Sequence, residues 1–239
     1  MVPMSNQDTV ILDVDGTLAD SAYHHTVAWT RAFDRVGLRP PAWRIQRAIG
    51  LGGDKLVAAV SGDRAEHEHG DAVRKGWEEA YADLLPEVHL LPGARELILA
   101  LADRGLTVVL ATSGKEEFTR HVLDLLDLPA GTLGGRASSE EAQESKPAPD
   151  VLEVALGKVG GGSALVVGDT PYDVAAAARV GSPCVTVRTG GFGVAELRTA
   201  GSVLVVDGLP DLLEADWDRL LEAEPPGGSV DPDSPLPPA

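Results

Sequence analysis

Short runs of Val, Leu and Ile recur along the chain without strict polar alternation. They fall at 9–15 (TVILDVD), 106–113 (LTVVLATS), 164–169 (ALVVGD) and 183–187 (PCVTV). A fifth lies at 202–207 (SVLVVD) and a weaker one at 132–138 (TLGGRAS). Short runs that stay apolar at successive positions predict strands covered on both faces. Between them the apolar spacing turns helical. Residues 93–105 close on Gly105, and 113–128 open on Ser113 with Glu116 three residues later, the spacing of a capping box. Residues 149–160 and 171–181 each begin with Pro and stop at Gly. Strand and helix in alternation predict an α/β fold, a Rossmann-like three-layer core with a parallel sheet.

Residues 20–88 break this alternation. Helical patterns run over 21–37, 41–50, 53–62 and 71–85, with no convincing strand among them. That is too long for a crossover. The region therefore predicts an inserted α-helical cap domain at 20–88, with a core made of 1–19 and 89–221. The last stretch, 222–239 (EAEPPGGSVDPDSPLPPA), is rich in Pro, Gly and Ser and is expected to be a disordered tail.

Composition changes this picture in three ways. Aromatic residues make up only 4% of the 239, so the core must be built of Leu, Val and Ala. The single cysteine, Cys184, lies in an apolar run and reads as a buried small side chain. No stretch is long and apolar enough for a membrane span, and residues 1–8 lack a charged-then-apolar leader. The expectation is a cytoplasmic protein, monomer or homodimer. The formal net charge of −17 argues against nucleic-acid binding, which needs a basic footprint. It would also repel an anionic substrate, so a phosphate site here needs a local cation.

In an open α/β sheet, ligands bind at the carboxyl ends of the strands, near the point where strand order reverses. The first strand ends in Asp13 and Asp15, the second in Thr112 and Ser113, and the fourth in Gly168 and Asp169, with Asp173 one turn on. Lys146 precedes the helix at 149. Asp13, Asp15 and Asp169 together would be costly without a cation. Oxygen ligands with no His or Cys favour Mg²⁺, which keeps waters and accepts phosphate oxygens. Singly, each feature has an ordinary reading: a turn, a helix cap, a solvated lysine. Their common placement at one end of the sheet points to one site.

The stretches DVDGT, ATS, SKPAPD and GDTPYD, in that order, resemble the motifs of the haloacid dehalogenase superfamily of phosphotransferases over about residues 8–200. The helical insert resembles that family's small helical cap. The general look is similar to phosphoglycolate phosphatases and β-phosphoglucomutases. The resemblance implies Asp13 as nucleophile, forming an aspartyl-phosphate, and Asp15 as general acid and base. It implies Thr112 holding a phosphoryl oxygen, with the backbone of Ser113 and Gly114 nearby, and Lys146 offsetting the charge of nucleophile and phosphate. Mg²⁺ would be held by Asp13, the backbone carbonyl of Asp15, and Asp169, with Asp173 supporting the site or orienting Lys146.

His25 and Trp29 sit four apart, on one helical face. β-Phosphoglucomutase-like sequences resemble this, and in them the His pairs with the acid/base. Surface and core roles serve as well for these two. The loop IGLGGDKL (49–56) resembles a cap loop facing the active site, which makes Gly52 and Lys55 candidate substrate contacts. The expected function is a Mg²⁺-dependent phosphatase acting on a small phosphorylated metabolite. The alternatives are a sugar-phosphate mutase and a non-catalytic binding protein on the same fold.

Overall fold

The computed structural model describes residues 8–138, 140–142 and 144–225. Six parallel strands form one sheet: β1 (Thr9–Leu12), β2 (Thr107–Thr112), β3 (Leu133–Ser138), β4 (Ala164–Gly168), β5 (Cys184–Val187) and β6 (Leu204–Val206). Their order is β3-β2-β1-β4-β5-β6, so the chain reverses direction across the sheet between β1 and β4. The apolar runs of the sequence are continuous because both faces are covered. Val10, Leu12, Val108, Leu110, Leu165, Val167, Val185 and Val187 face one core. Ile11, Val109, Ala111, Ala164, Val166 and Cys184 face the other. The alternation of period two is there, but both phases are apolar.

The first face is covered by α5 (Ala94–Asp103), α6 (Glu116–Leu126), α10 (Leu209–Leu213) and α11 (Trp217–Leu221). The second is covered by α7 (Asp150–Lys158) and α8 (Pro171–Arg179). A further helix, α9 (Val194–Ala200), lies between β5 and β6 in the chain. Cys184 is a free, buried thiol, as its apolar run implied.

Four helices lie between β1 and α5: α1 (Ala22–Arg35), α2 (Ala42–Ala48), α3 (Gly53–Ser61) and α4 (Asp63–Leu84). Trp29, Phe33, Ile45, Leu56, Val57 and Val73 give them an apolar centre of their own. Ala28, Ala80, Tyr81 and Leu84 belong instead to the sheet-facing core, so the insert is anchored to the core by its own apolar side chains. α1 and α4 approach closely at Gly76, where a Cβ would lie 3.3 Å from that of Ala32.

Two local expectations are corrected. Helix α4 begins at Asp63, not near 71, because the stretch DRAEHEHG hides its helical period behind polar residues. Helix α6 is capped at Lys115 and not by Ser113. The Thr112 hydroxyl accepts the Gly114 N–H at 2.8 Å, holding the chain in a turn past the expected start. Of the expected disordered tail, 226–239 lies outside the described residues, and 222–225 is neither helix nor strand. Among the described residues, no helix is long and apolar enough to cross a membrane.

Candidate active site

Asp13 follows β1 directly, and its N–H donates to the carbonyl of Val167 on β4 at 2.9 Å. The acids named from the sequence therefore meet where the strand order reverses. Asp13, Asp169 and Asp173 each bring a carboxylate oxygen within 4.8 Å of the others, and all three are buried. Lys146, 3% exposed, pairs with Asp13 and lies 2.6 Å from Asp173 Oδ1. The other Asp173 oxygen serves the start of α8, accepting the Thr170 N–H at 3.0 Å and its hydroxyl at 2.6 Å. Asp173 is thus both a helix cap and an orienter of Lys146.

Counted as fully ionised, three carboxylates against one ammonium would leave two surplus negative charges in a dry place, and the site answers by favouring protons on its acids. Burial, with Asp173 and Asp15 adding their repulsion and Lys146 opposing, pushes the Asp13 carboxyl up to about 7. Burial, with Asp173 and Asp13 adding their repulsion, raises Asp169 well above the usual range. Lys146 is raised too: burial disfavours its charge, but Asp13 and Asp173 outweigh that and hold it as ammonium.

Asp169 has one carboxylate oxygen to spare. Its Oδ1 accepts the Thr17 hydroxyl at 3.1 Å, while its buried Oδ2 has no hydrogen-bond partner. That oxygen is walled by glycines: a Cβ would lie 2.3 Å away at Gly16 and 1.9 Å away at Gly190. Three clustered acids, oxygen donors only and an unsatisfied carboxylate oxygen suit a hard divalent cation.

Asp15 is set apart from this cluster. Its Oδ1 accepts the Ser21 hydroxyl at 2.8 Å and lies 3.0 Å from His25 Nε2; its Oδ2 accepts the Thr112 hydroxyl at 3.2 Å. Burial favours the neutral acid, but His25 and the hydrogen bonds from Ser21 and Thr112 prevail and bring Asp15 down to about 2. The Asp15 carboxylate is therefore not one of the three that converge on the cation position.

The family model for haloacid dehalogenase-like hydrolases matches residues 7–181. The chain belongs to the haloacid dehalogenase-like hydrolases. Phosphoglycolate phosphatase 1 of Pseudomonas aeruginosa is 30% identical over 93% of this chain and 84% of that protein. Phosphoglycolate phosphatase of Rhodospirillum rubrum is 31% identical over 92% of each. The crystal structure of a hydrolase from Pseudomonas syringae is 32% identical, with a TM-score of 0.82 over 87% of this chain and 97% of that one. The chain is an enzyme of this family, a phosphoric monoester hydrolase.

In this hydrolase a small cavity of about 70 Å³ joins the acids to the insert. Asp13, Asp15, Lys146, Asp169, Asp173, Ser113 and Gly114 line its floor, and His25, Trp29, Trp77 and the 49–53 loop line its roof. Ser113 Oγ is buried there without a hydrogen-bond partner. Two of the sequence-based candidates stand outside the lining, and of these Thr112 still reaches the site by donating its hydroxyl to Asp15. Lys55 does not line the cavity: its ammonium lies 3.1 Å from Glu144 and 2.8 Å from the Ser145 carbonyl, at the seam between insert and core. Gly52 does line it, and donates its N–H to Ser145 Oγ at 3.1 Å.

Three contributors escape the sequence analysis. Ser21 holds Asp15, while Tyr81 and Trp77 on α4 continue the ring stack begun by α1. His25 stacks on Tyr81 with centroids 3.9 Å apart, and Trp29 stacks on Trp77 at 5.1 Å. The spacing of Trp77 and Tyr81, four apart like His25 and Trp29, is the signal that could have found them.

Gly16 carries a strong constraint. Its φ is 79°, and any Cβ would strike the Asp169 carboxylate. Gly16→Ala is expected to cost about 1–3 kcal/mol in backbone strain and displacement. Urea unfolding measures it; a midpoint equal to wild type would show that the turn reshapes freely.

Proposed function

We propose that this hydrolase is a Mg²⁺-dependent phosphatase that cleaves a small phosphomonoester through an aspartyl-phosphate on Asp13. The observation that carries the reading is the cluster of three buried acids, Asp13, Asp169 and Asp173, around Lys146 at the strand-order switch point. Asp13, Asp169 and the backbone carbonyl of Asp15 would hold Mg²⁺. Bound there, the ion offsets charge on the phosphoryl oxygens, as a loose transition state requires.

A carboxylate oxygen of Asp13 attacks phosphorus, and the ester P–O bond breaks. The proton for the departing alkoxide comes from the Asp15–His25 pair. Asp15 then takes a proton from water, whose oxygen attacks the phosphorus of the aspartyl-phosphate, releasing phosphate and restoring Asp13. Lys146 stays an ammonium throughout and stabilises the added charge. Thr112, once its hydroxyl turns from Asp15, and the Ser113–Gly114 stretch, whose Ser113 hydroxyl has no partner, would hold phosphoryl oxygens. Residues 20–88 act as the cap that excludes water.

The phosphoglycolate phosphatases among the relatives support a small phosphomonoester, of the phosphoglycolate or small sugar phosphate type. The contact between His25 and Asp15 favours a second reading, a β-phosphoglucomutase-like mutase. Against it, none of the insert residues lining the cavity is Lys or Arg, whereas a bisphosphate intermediate brings a second phosphate to be held. Phosphate release from two-, three- and six-carbon phosphomonoesters, with Mg²⁺ or with EDTA, and with or without a bisphosphate primer, tests both. Release that needs Mg²⁺ and is fastest for the small esters is expected. Primed isomerisation of β-glucose 1-phosphate without phosphate release would replace hydrolysis by the mutase reading.

A further inference from the structure

The loop after β5 touches both the acidic cluster and the insert. Thr189 donates its hydroxyl to the carbonyl of Gly16. Gly190 packs directly on Asp169 Oδ2, and its carbonyl accepts a hydrogen bond of 2.6 Å from Gln46 Nε2 on α2. Arg47, the next residue of α2, lies over the Phe192 ring at 4.1 Å and pairs with Glu196. Glu196 in turn accepts the Gly193 N–H at 2.8 Å, fixing the end of the loop. Tyr172 on α8 donates its hydroxyl to the Arg47 carbonyl at 2.9 Å. Neither Gln46 nor Arg47 lines the cavity. The insert therefore grips, from behind the site, the backbone that walls in the unsatisfied oxygen of Asp169.

We propose that Gln46 and Arg47 are positioning residues for Asp169, acting through the 188–193 loop, so that seating of α2 on the core and affinity for Mg²⁺ are linked. The proposal rests on the Mg²⁺ reading above. With Gly190 pressed on its Oδ2, the Asp169 carboxylate has one place to sit. With the loop released, that oxygen regains freedom which binding must remove again. The linkage is reciprocal: whatever the α2 contacts add to Mg²⁺ affinity, Mg²⁺ adds to the seating of α2.

Two measurements without substrate test this. Mg²⁺ is titrated calorimetrically into wild type, Gln46→Ala, Gln46→Glu, Arg47→Ala and a control, Arg39→Ala, whose exposed partner is Asp34. Hydrogen exchange is followed over 42–48 and 188–193 with and without Mg²⁺. Gln46→Glu keeps the side-chain volume but turns a carboxylate toward the Gly190 carbonyl, so a loss there does not come from a packing defect. The Gln46 and Arg47 variants are expected to bind Mg²⁺ roughly 5- to 20-fold more weakly, and the control as wild type. Mg²⁺ is expected to slow exchange in both segments of wild type, and to slow it less in Gln46→Ala. Wild-type affinity in all variants, with exchange over 42–48 indifferent to Mg²⁺, would overturn the linkage and leave the metal site standing. Absence of Mg²⁺ binding by wild type would overturn both.

Discussion

Asp13→Asn is expected to lower turnover by roughly 10⁴-fold or more while the protein remains folded. The amide is no nucleophile toward phosphorus, and no other carboxylate can take its place. Asp169 is engaged by Thr17, Asp173 by Lys146 and the start of α8, and Asp15 by Ser21, His25 and Thr112. The effect on stability has the opposite sign. Asp13 is buried among like charges, and its carboxyl is pushed up to about 7. A neutral isostere removes one of the mutually repelling acids and leaves Lys146 its contact with Asp173. In EDTA, the variant is therefore expected to unfold at higher urea than wild type, by ~1–3 kcal/mol. Steady-state phosphate release and urea unfolding check the two halves. Retained turnover would remove Asp13 as nucleophile; a loss of stability would mean that its pairing with Lys146 outweighs the repulsion around it.

These two opposed effects show which parts of the site could be read from sequence. The strands were legible because a strand buried on both faces leaves an unbroken apolar run, and Asp13, Thr112 and Asp169 sit at or just past the ends of such runs. Lys146 could be placed because it precedes a well-patterned helix, in the stretch SKPAPD that resembles a family motif. What could not be read is what depends on two elements meeting. Ser21 is an ordinary small polar residue until α1 carries it to Asp15. Trp77 and Tyr81 belong to the site only because α4 packs on α1. The 188–193 loop has no apolar period at all; its importance comes from Gly190 lying on Asp169 and Gln46 reaching its carbonyl. Lys55 shows the reverse. Its place in a glycine-rich loop suggested a substrate contact, but the side chain runs along the seam to Glu144, and only the folded chain shows that direction.

Lys146→Met should be the most destabilising single change at this site, costing about 3–5 kcal/mol in metal-free protein. Methionine matches the length of the lysine stem, so little packing is lost. The cost is electrostatic: Asp13, Asp169 and Asp173 remain buried with no cation among them, so each must bind a proton or carry an uncompensated charge. The contrast with Asp13→Asn follows from the same balance, since one change removes a repelling acid and the other removes the only compensation. Mg²⁺ is expected to restore part of the lost stability, because a divalent ion between the carboxylates replaces some of the missing positive charge. It should not restore turnover, because the ammonium beside Asp13 also stabilises the phosphoryl group in transit, a loss of roughly 10²–10³-fold or more. Urea unfolding with EDTA and with Mg²⁺, alongside steady-state phosphate release in Mg²⁺, separates these terms. A variant as stable as wild type in EDTA would mean that the three acids are already protonated without their lysine, and the cluster would then hold no surplus charge to attract a metal.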